Sequence, residues 1–209
     1  MRTTLLALVL LPSLALAQAE ELENPGTVTA IQDREYRMNH ELAVGVGMLP
    51  LDAFYKGYTA QVSYTFHFTD SFAWQVGRGA YSFNVDTGLK QQLLNQFSVL
   101  PTAFSEVQWM VGSDLIWSPI YGKLAVSNHS VLHFEAFLIL GGSVVDLTNL
   151  PSGSLPFKPG VNLGLGVRVF NSKHISFRLD VTDNIVFSTT ILNVPTLQLA
   201  AALNFGASE

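Results

Sequence analysis

The stretch Tyr58-Thr59-Ala60-Gln61-Val62-Ser63-Tyr64-Thr65-Phe66-His67-Phe68 decides how this chain folds. Tyr58, Ala60, Val62, Tyr64, Phe66 and Phe68 fall on one face of an extended chain, and Thr59, Gln61, Ser63, Thr65 and His67 on the other. A period of two over eleven residues is a β-strand rather than a helix, because only in a strand do successive side chains point to opposite sides. The run is also about twice the mean strand of roughly 5–6 residues. It matches the roughly 9–11 residues that a tilted strand needs to cross a bilayer.

The same alternation recurs along the chain. Leu42, Val44, Val46 and Met48 oppose Ala43, Gly45 and Gly47. Val107, Trp109, Val111, Leu115 and Trp117 oppose Gln108, Met110, Gly112 and Asp114. Leu132, Phe134, Ala136, Leu138 and Leu140 oppose His133 and Glu135. Val161, Leu163, Leu165, Val167 and Val169 oppose Asn162, Gly164, Gly166 and Arg168. Ile175, Phe177, Leu179 and Val181 oppose Ser176, Arg178, Asp180 and Thr182. Leu197, Leu199, Ala201, Leu203 and Phe205 oppose Gln198, Ala200, Ala202 and Asn204. In one further segment, the register set by Phe72, Trp74 and Val76 would place Arg78 among apolar residues. A β-bulge within Gly77-Arg78-Gly79 turns Arg78 inward and brings Tyr81 and Phe83 outward. A lipid-facing arginine would instead cost about 2–4 kcal/mol.

These eight strands predict an all-β fold, an eight-stranded antiparallel transmembrane β-barrel. Short turns at Thr69–Ser71, Ser118–Lys123 and Asn171–Lys173 alternate with long loops at Leu49–Gly57, Asn84–Ser105, Val144–Lys158 and Asp183–Asn193. An even strand count leaves both termini on the short-turn side, which is then the periplasm. In the second long loop, Leu89, Leu93, Leu94 and Phe97 predict a short amphipathic helix, read as a cap on the barrel mouth. Residues 39–209 form the barrel, and residues 18–38 a polar periplasmic lead.

Composition fits this reading. The 209-residue chain is 48% hydrophobic and 13% charged, about half the roughly 25% charge of an average soluble domain, and its mean hydropathy is +0.30. The only sustained apolar run, Leu5–Ala17, is broken by Pro12 and Ser13 and is too short to span a membrane as a helix. With Arg2 ahead of it and small residues at Ala15–Ala19, it reads as a secretory signal peptide over residues 1–17, with cleavage after 17 or after 19. The net charge of −5 becomes more negative once Arg2 is removed and argues against nucleic acid as a partner. The chain has no cysteine, which excludes disulfides and thiolate metal sites. No cofactor is called for, and the five histidines show no metal-ligand spacing.

Two features say that the apolar face is the outer one. The opposite face is built from small residues such as Gly45, Gly47, Gly112, Gly164, Gly166, Ala200 and Ala202, where a soluble surface would carry Lys and Glu. Aromatic residues gather at strand ends (Tyr58, Phe68, Phe72, Trp74, Phe83, Trp117, Phe170, Phe187 and Phe205), as an interfacial girdle does. The competing architecture is a soluble periplasmic lipocalin-like barrel, with the same alternation read the other way round.

The segments Leu49–Gly57, Ser63–Phe68 and Ser118–Leu124, together with His133-Phe134-Glu135, resemble the outer-membrane β-barrel domain proteins of myxobacteria and related Gram-negative bacteria. The resemblance covers most of residues 30–205 and implies fold and outer-membrane location, with no chemistry attached. The last strand, ending at Phe205, is similar to the C-terminal signal read by the barrel assembly machinery. Outer-membrane lipids and that machinery are therefore the expected partners, beside an envelope protein partner that the sequence does not identify.

The candidate site is the set of polar residues on the inner face: His67, Arg78, Asp114, His133, Glu135, Arg168, Arg178 and Asp180. Buried charges require partners, and an eight-stranded barrel is only wide enough to be filled by its own side chains. The set therefore reads as a structural plug, with a conduit for protons or small ions as the competing view. Catalysis is not expected. A lipid A-modifying hydrolase needs Ser, His and an acid together, yet His129 and Ser130 point to opposite faces, and His133 with Glu135 lacks a placed serine.

Overall fold

The computed structural model describes residue 34 and residues 36–50, 55–86, 95, 106–127, 130–148, 156–188 and 191–206. Eight strands follow one another: β1 (His40–Leu49), β2 (Tyr55–His67), β3 (Phe72–Asp86), β4 (Glu106–Ser127), β5 (Ser130–Thr148), β6 (Phe157–Phe170), β7 (Ile175–Phe187) and β8 (Ile191–Phe205). Each pairs antiparallel with the next, and β8 pairs with β1 to close the barrel. At the seam, Leu42 stands between Tyr64 of β2 and Leu203 of β8. Closure leaves no unpaired edge along the body of the wall. We call the end bearing His40 and Phe205 the terminal end, and the other the distal end.

The wall is inside out relative to a soluble barrel. Val46 is 64% exposed and Leu199 56%, and apolar side chains stand outward along every strand. Arg168 and Glu41 are fully buried inside. A contiguous exposed apolar band of this kind is not tolerated facing water; it is the lipid-facing belt of a transmembrane barrel.

A bulge turns Arg78 inward as expected, but it lies just ahead of Gly77-Arg78-Gly79 rather than within it. Tyr64 pairs with Gly77 and Thr65 with Gln75, so Val76 is the extra residue. Arg78 consequently turns inward and is buried, while Tyr81 and Phe83 remain exposed.

Several expectations are corrected. Ser118–Lys123 is not a turn: β4 runs on to Ser127, pairing Ile120 with Ala136 and Leu124 with Leu132, after an irregularity between Trp117 and Ile120. Pro119 sits within this irregularity, where a missing N–H is tolerated. Gly122 does not bend the chain; a Cβ there would lie 2.5 Å from the Phe134 ring that covers it. Asp183–Asn193 is mostly ladder rather than long loop, since Asp183 pairs with Pro195 and Phe187 with Ile191. Pro195 lies beyond Met48↔Leu197, the last pair of the β1–β8 ladder, an edge position that accommodates proline. Strand also reaches into the other long loops, to Asp86 and Thr148 and from Tyr55 and Phe157.

A second irregularity separates Val107 from Trp109. It turns Val107 into the lumen and leaves Gln108 exposed, opposite to the faces that simple alternation assigned. Phe170 is buried rather than part of an outer girdle. Apart from residue 95, the helix expected around Leu89–Phe97 lies outside the described residues, as does His129.

Candidate functional site: the lumen

The interior is layered. Nearest the terminal end is an ionic network whose hub is Glu41, the first inward residue of β1. Its Oε2 accepts from Arg168 Nη2 at 2.5 Å, and its Oε1 accepts from Arg178 Nη1 at 2.6 Å. Arg168 reaches on to Glu135 Oε1 at 3.1 Å, and Arg178 to Asp180 Oδ2 at 3.0 Å. The chain of contacts is thus Glu135–Arg168–Glu41–Arg178–Asp180, with His67 Nε2 3.9 Å from Glu41. Both guanidiniums lie near the Phe137 ring, Arg178 at 4.9 Å and Arg168 at 5.3 Å from its centroid.

Local sequence makes this reach possible. Arg178 is registered against Ala200 of β8, and Ala43, Ala200 and Ala202 form a small-residue patch on the inner wall. Long side chains therefore cross the lumen unobstructed. Gly166 serves the same end: a Cβ there would stand 2.5 Å from both the Phe137 ring and Asp180 Oδ1.

A second group occupies the middle of the lumen. Arg78 Nε donates to Asp114 Oδ2 at 3.0 Å, and its Nη2 contacts Asn184 Oδ1 at 3.5 Å. Asp114 also accepts from Asn162 Nδ2 at 2.8 Å. Burying charge is costly unless each ion is paired and hydrogen-bonded. Here each of these arginines faces at least one carboxylate.

Above these groups the inner face turns apolar. Leu49, Val107, Met110, Val145, Leu147, Val186 and Val194 pack together inside the distal end. The sequence reading of an inner face built from small and polar residues did not anticipate these large aliphatic side chains. Packed aliphatic side chains offer no solvation to an ion.

Of the sequence-derived candidates, Glu135, Arg168, Arg178 and Asp180 join one network with His67 at its margin, and Arg78 and Asp114 form the second group. His133 stands apart at the terminal mouth, among the rings of Tyr36 and Tyr121. Sequence reasoning missed Glu41. Its signal was available: Glu41 continues the inward series Ala43, Gly45, Gly47 by one step toward the N-terminus. Arg34, ahead of the first strand, was missed as well; its guanidinium lies 3.5 Å from Glu135.

No protein-family model matches the chain, and no curated protein does. Solved structures do. The N-terminal β-barrel domain of Pseudomonas aeruginosa OprF aligns with a TM-score of 0.50 at 12% identity, over 80% of this chain and 98% of that one. Neisserial surface protein A aligns at 0.44 and 13% identity, over 79% and 97%. A major outer membrane protein from Thermus thermophilus aligns at 0.38 and 12%, over 79% and 99%. The chain shares with the OprF domain its fold, an eight-stranded antiparallel barrel.

Proposed function

We propose that this chain is an outer-membrane β-barrel protein of a Gram-negative envelope, structural or interaction-bearing, with a lumen filled by its own side chains. One observation carries the reading: apolar side chains face outward along every strand, while paired arginines and carboxylates are buried within. A soluble ligand-binding barrel needs the reverse, an apolar interior under a polar surface. The apolar layer at the distal end supports a plug over a conduit.

The finer placement, among barrels of the myxobacterial type, rests on the sequence resemblance. Export by the N-terminal signal segment and insertion by the barrel assembly machinery accord with residues 1–17 and with the terminal strand ending at Phe205. Outer-membrane lipids are the constant partners of the wall. The terminal end, where β1 begins and β8 ends, faces the periplasm. Glu135 supports a role without catalysis, since its oxygens are engaged by Arg168 and Arg34.

The test is heat-modifiable migration on a gel of detergent-extracted membranes. Folded and boiled forms are expected to run apart; recovery in the soluble fraction without such a shift defeats the proposal. Unchanged lipid A mass spectra in a deletion strain are expected, and an altered acyl pattern would favour the enzyme.

A further inference from the structure

The terminal mouth of the lumen holds a cation that does not come from the barrel wall. Arg34 Nη1 lies 3.5 Å from Glu135 Oε2, the oxygen that Arg168 does not use. Arg34 Nη2 donates to the Ser118 carbonyl at 3.3 Å. Its guanidinium carbon stands 4.9 Å from the centre of the Tyr121 ring, and the side chain is only 12% exposed. A carboxylate, a carbonyl and an aromatic face are the three surfaces that a planar guanidinium binds best. Two residues on, Tyr36 stacks on Phe170 at 5.3 Å and meets His133 edge-on at 5.0 Å.

Charge gives this arrangement a purpose. The network below the mouth joins three carboxylates, on Glu41, Glu135 and Asp180, to two guanidiniums, on Arg168 and Arg178. One buried negative charge is left over among these five, and Arg34 compensates it at Glu135.

We propose that Glu135, the Ser118 carbonyl and Tyr121 form a guanidinium-binding site, filled by the chain's own Arg34, and that Arg34 and Tyr36 make a tethered stopper over the terminal end of the lumen. The stopper concerns the interior alone and stands independently of what surrounds the outer wall.

Trypsin reports on it directly, because cleavage after Arg34 requires the guanidinium to leave its site. In the folded full-length protein in detergent, cleavage at Arg34 is expected to be at least about tenfold slower than in the heat-unfolded protein, as for any locally protected bond. Tyr121→Leu, which removes the aromatic face but no charge, is expected to accelerate it several-fold. Millimolar methylguanidinium is expected to do the same in the unaltered protein, whereas potassium at equal ionic strength is not. A second readout uses the absence of native cysteine: in a His133→Cys protein, a water-soluble thiol reagent is expected to react faster once Arg34→Ala is added. Cleavage at Arg34 that is as fast in the folded as in the unfolded protein, or thiol labelling that ignores Arg34→Ala, overturns the proposal.

Discussion

Arg178 donates to Glu41 across 137 positions of sequence, at 2.6 Å and with both side chains out of contact with solvent. The contact ties β7 to β1 across the intervening β8, and through its other oxygen Glu41 holds Arg168 of the adjacent β6. A single carboxylate therefore braces three strands of the wall from within.

Glu41→Gln keeps the shape and removes the charge, leaving two buried guanidiniums with one carboxylate partner each. Breaking a buried pair from one side typically costs about 3–5 kcal/mol, and the lower part of that range is expected because Glu135 and Asp180 remain. Urea unfolding in detergent or lipid measures it. A loss below about 1 kcal/mol, the worth of an exposed pair, would mean that the hub is not what holds the network together.

Gly166→Ala should destabilise the barrel by about 1–3 kcal/mol, the usual cost of forcing a methyl group into packed space. The new carbon would press on Phe137 and Asp180. Gly142→Ala is the matched control, since a Cβ there meets nothing within 4 Å. The two variants should separate clearly in the temperature of the heat-modifiability transition.

Deleting Gly79 leaves β3 one residue short beyond the bulge, whereas deleting Val76 would remove the bulge itself and keep Arg78 inward opposite Ser63. Without Gly79, either the bulge straightens and Arg78 faces lipid, at about 2–4 kcal/mol, or the bulge stays and the outward Tyr81 and Phe83 are driven into the lumen. Folding yield into vesicles should fall sharply. Adding Arg78→Leu to the deletion should recover part of it, and no recovery would argue against the bulge as the device that hides the arginine.

Met110→Ala opens space in the distal apolar layer and should cost about 2–5 kcal/mol, as large-to-small changes in a packed core do. In planar bilayers the unaltered protein should show no single-channel steps. Steady conductance by the unaltered barrel would refute the sealed lumen.

The membrane half of this fold was legible because its two faces meet different media, so hydrophobicity alternates residue by residue. That contrast is also why the bulge beside Arg78 stood out: one charge broke an otherwise regular series. The distal ends were misread for the converse reason. Val145 and Leu147 inside, with Val144 outside, are apolar on both faces, as are Val186 and Val194 beside Ile185 and Ile191. With no contrast to show, these segments read as loop. Ser118-Pro119 and Tyr121-Gly122 carry turn-like residues that serve instead a strand irregularity and a glycine under a phenyl ring. Val107 escaped notice because its spacing from Trp109 satisfies alternation, and only the register of β5 reveals the slip. Of the lumenal cluster, the pairing of Arg178 with Asp180 follows from their spacing, two residues apart on one strand. The Glu41 contacts span the sheet and leave no trace in local pattern.

The seam between β1 and β8 carries a consequence for how the chain must be made. Asn39 donates to the carbonyl of Gly206, a contact 167 residues apart in sequence, and the whole β1–β8 ladder joins the first strand to the last. Until Phe205 has been synthesised, the sheet has two open edges, and both invite pairing with other chains. Contacts of such long sequence separation also form slowly. Maturation is therefore gated by the final strand: a chain truncated before residue 191 keeps most of its hydrophobic wall yet has nothing with which to close it, and should persist as an aggregation-prone ribbon rather than a smaller barrel.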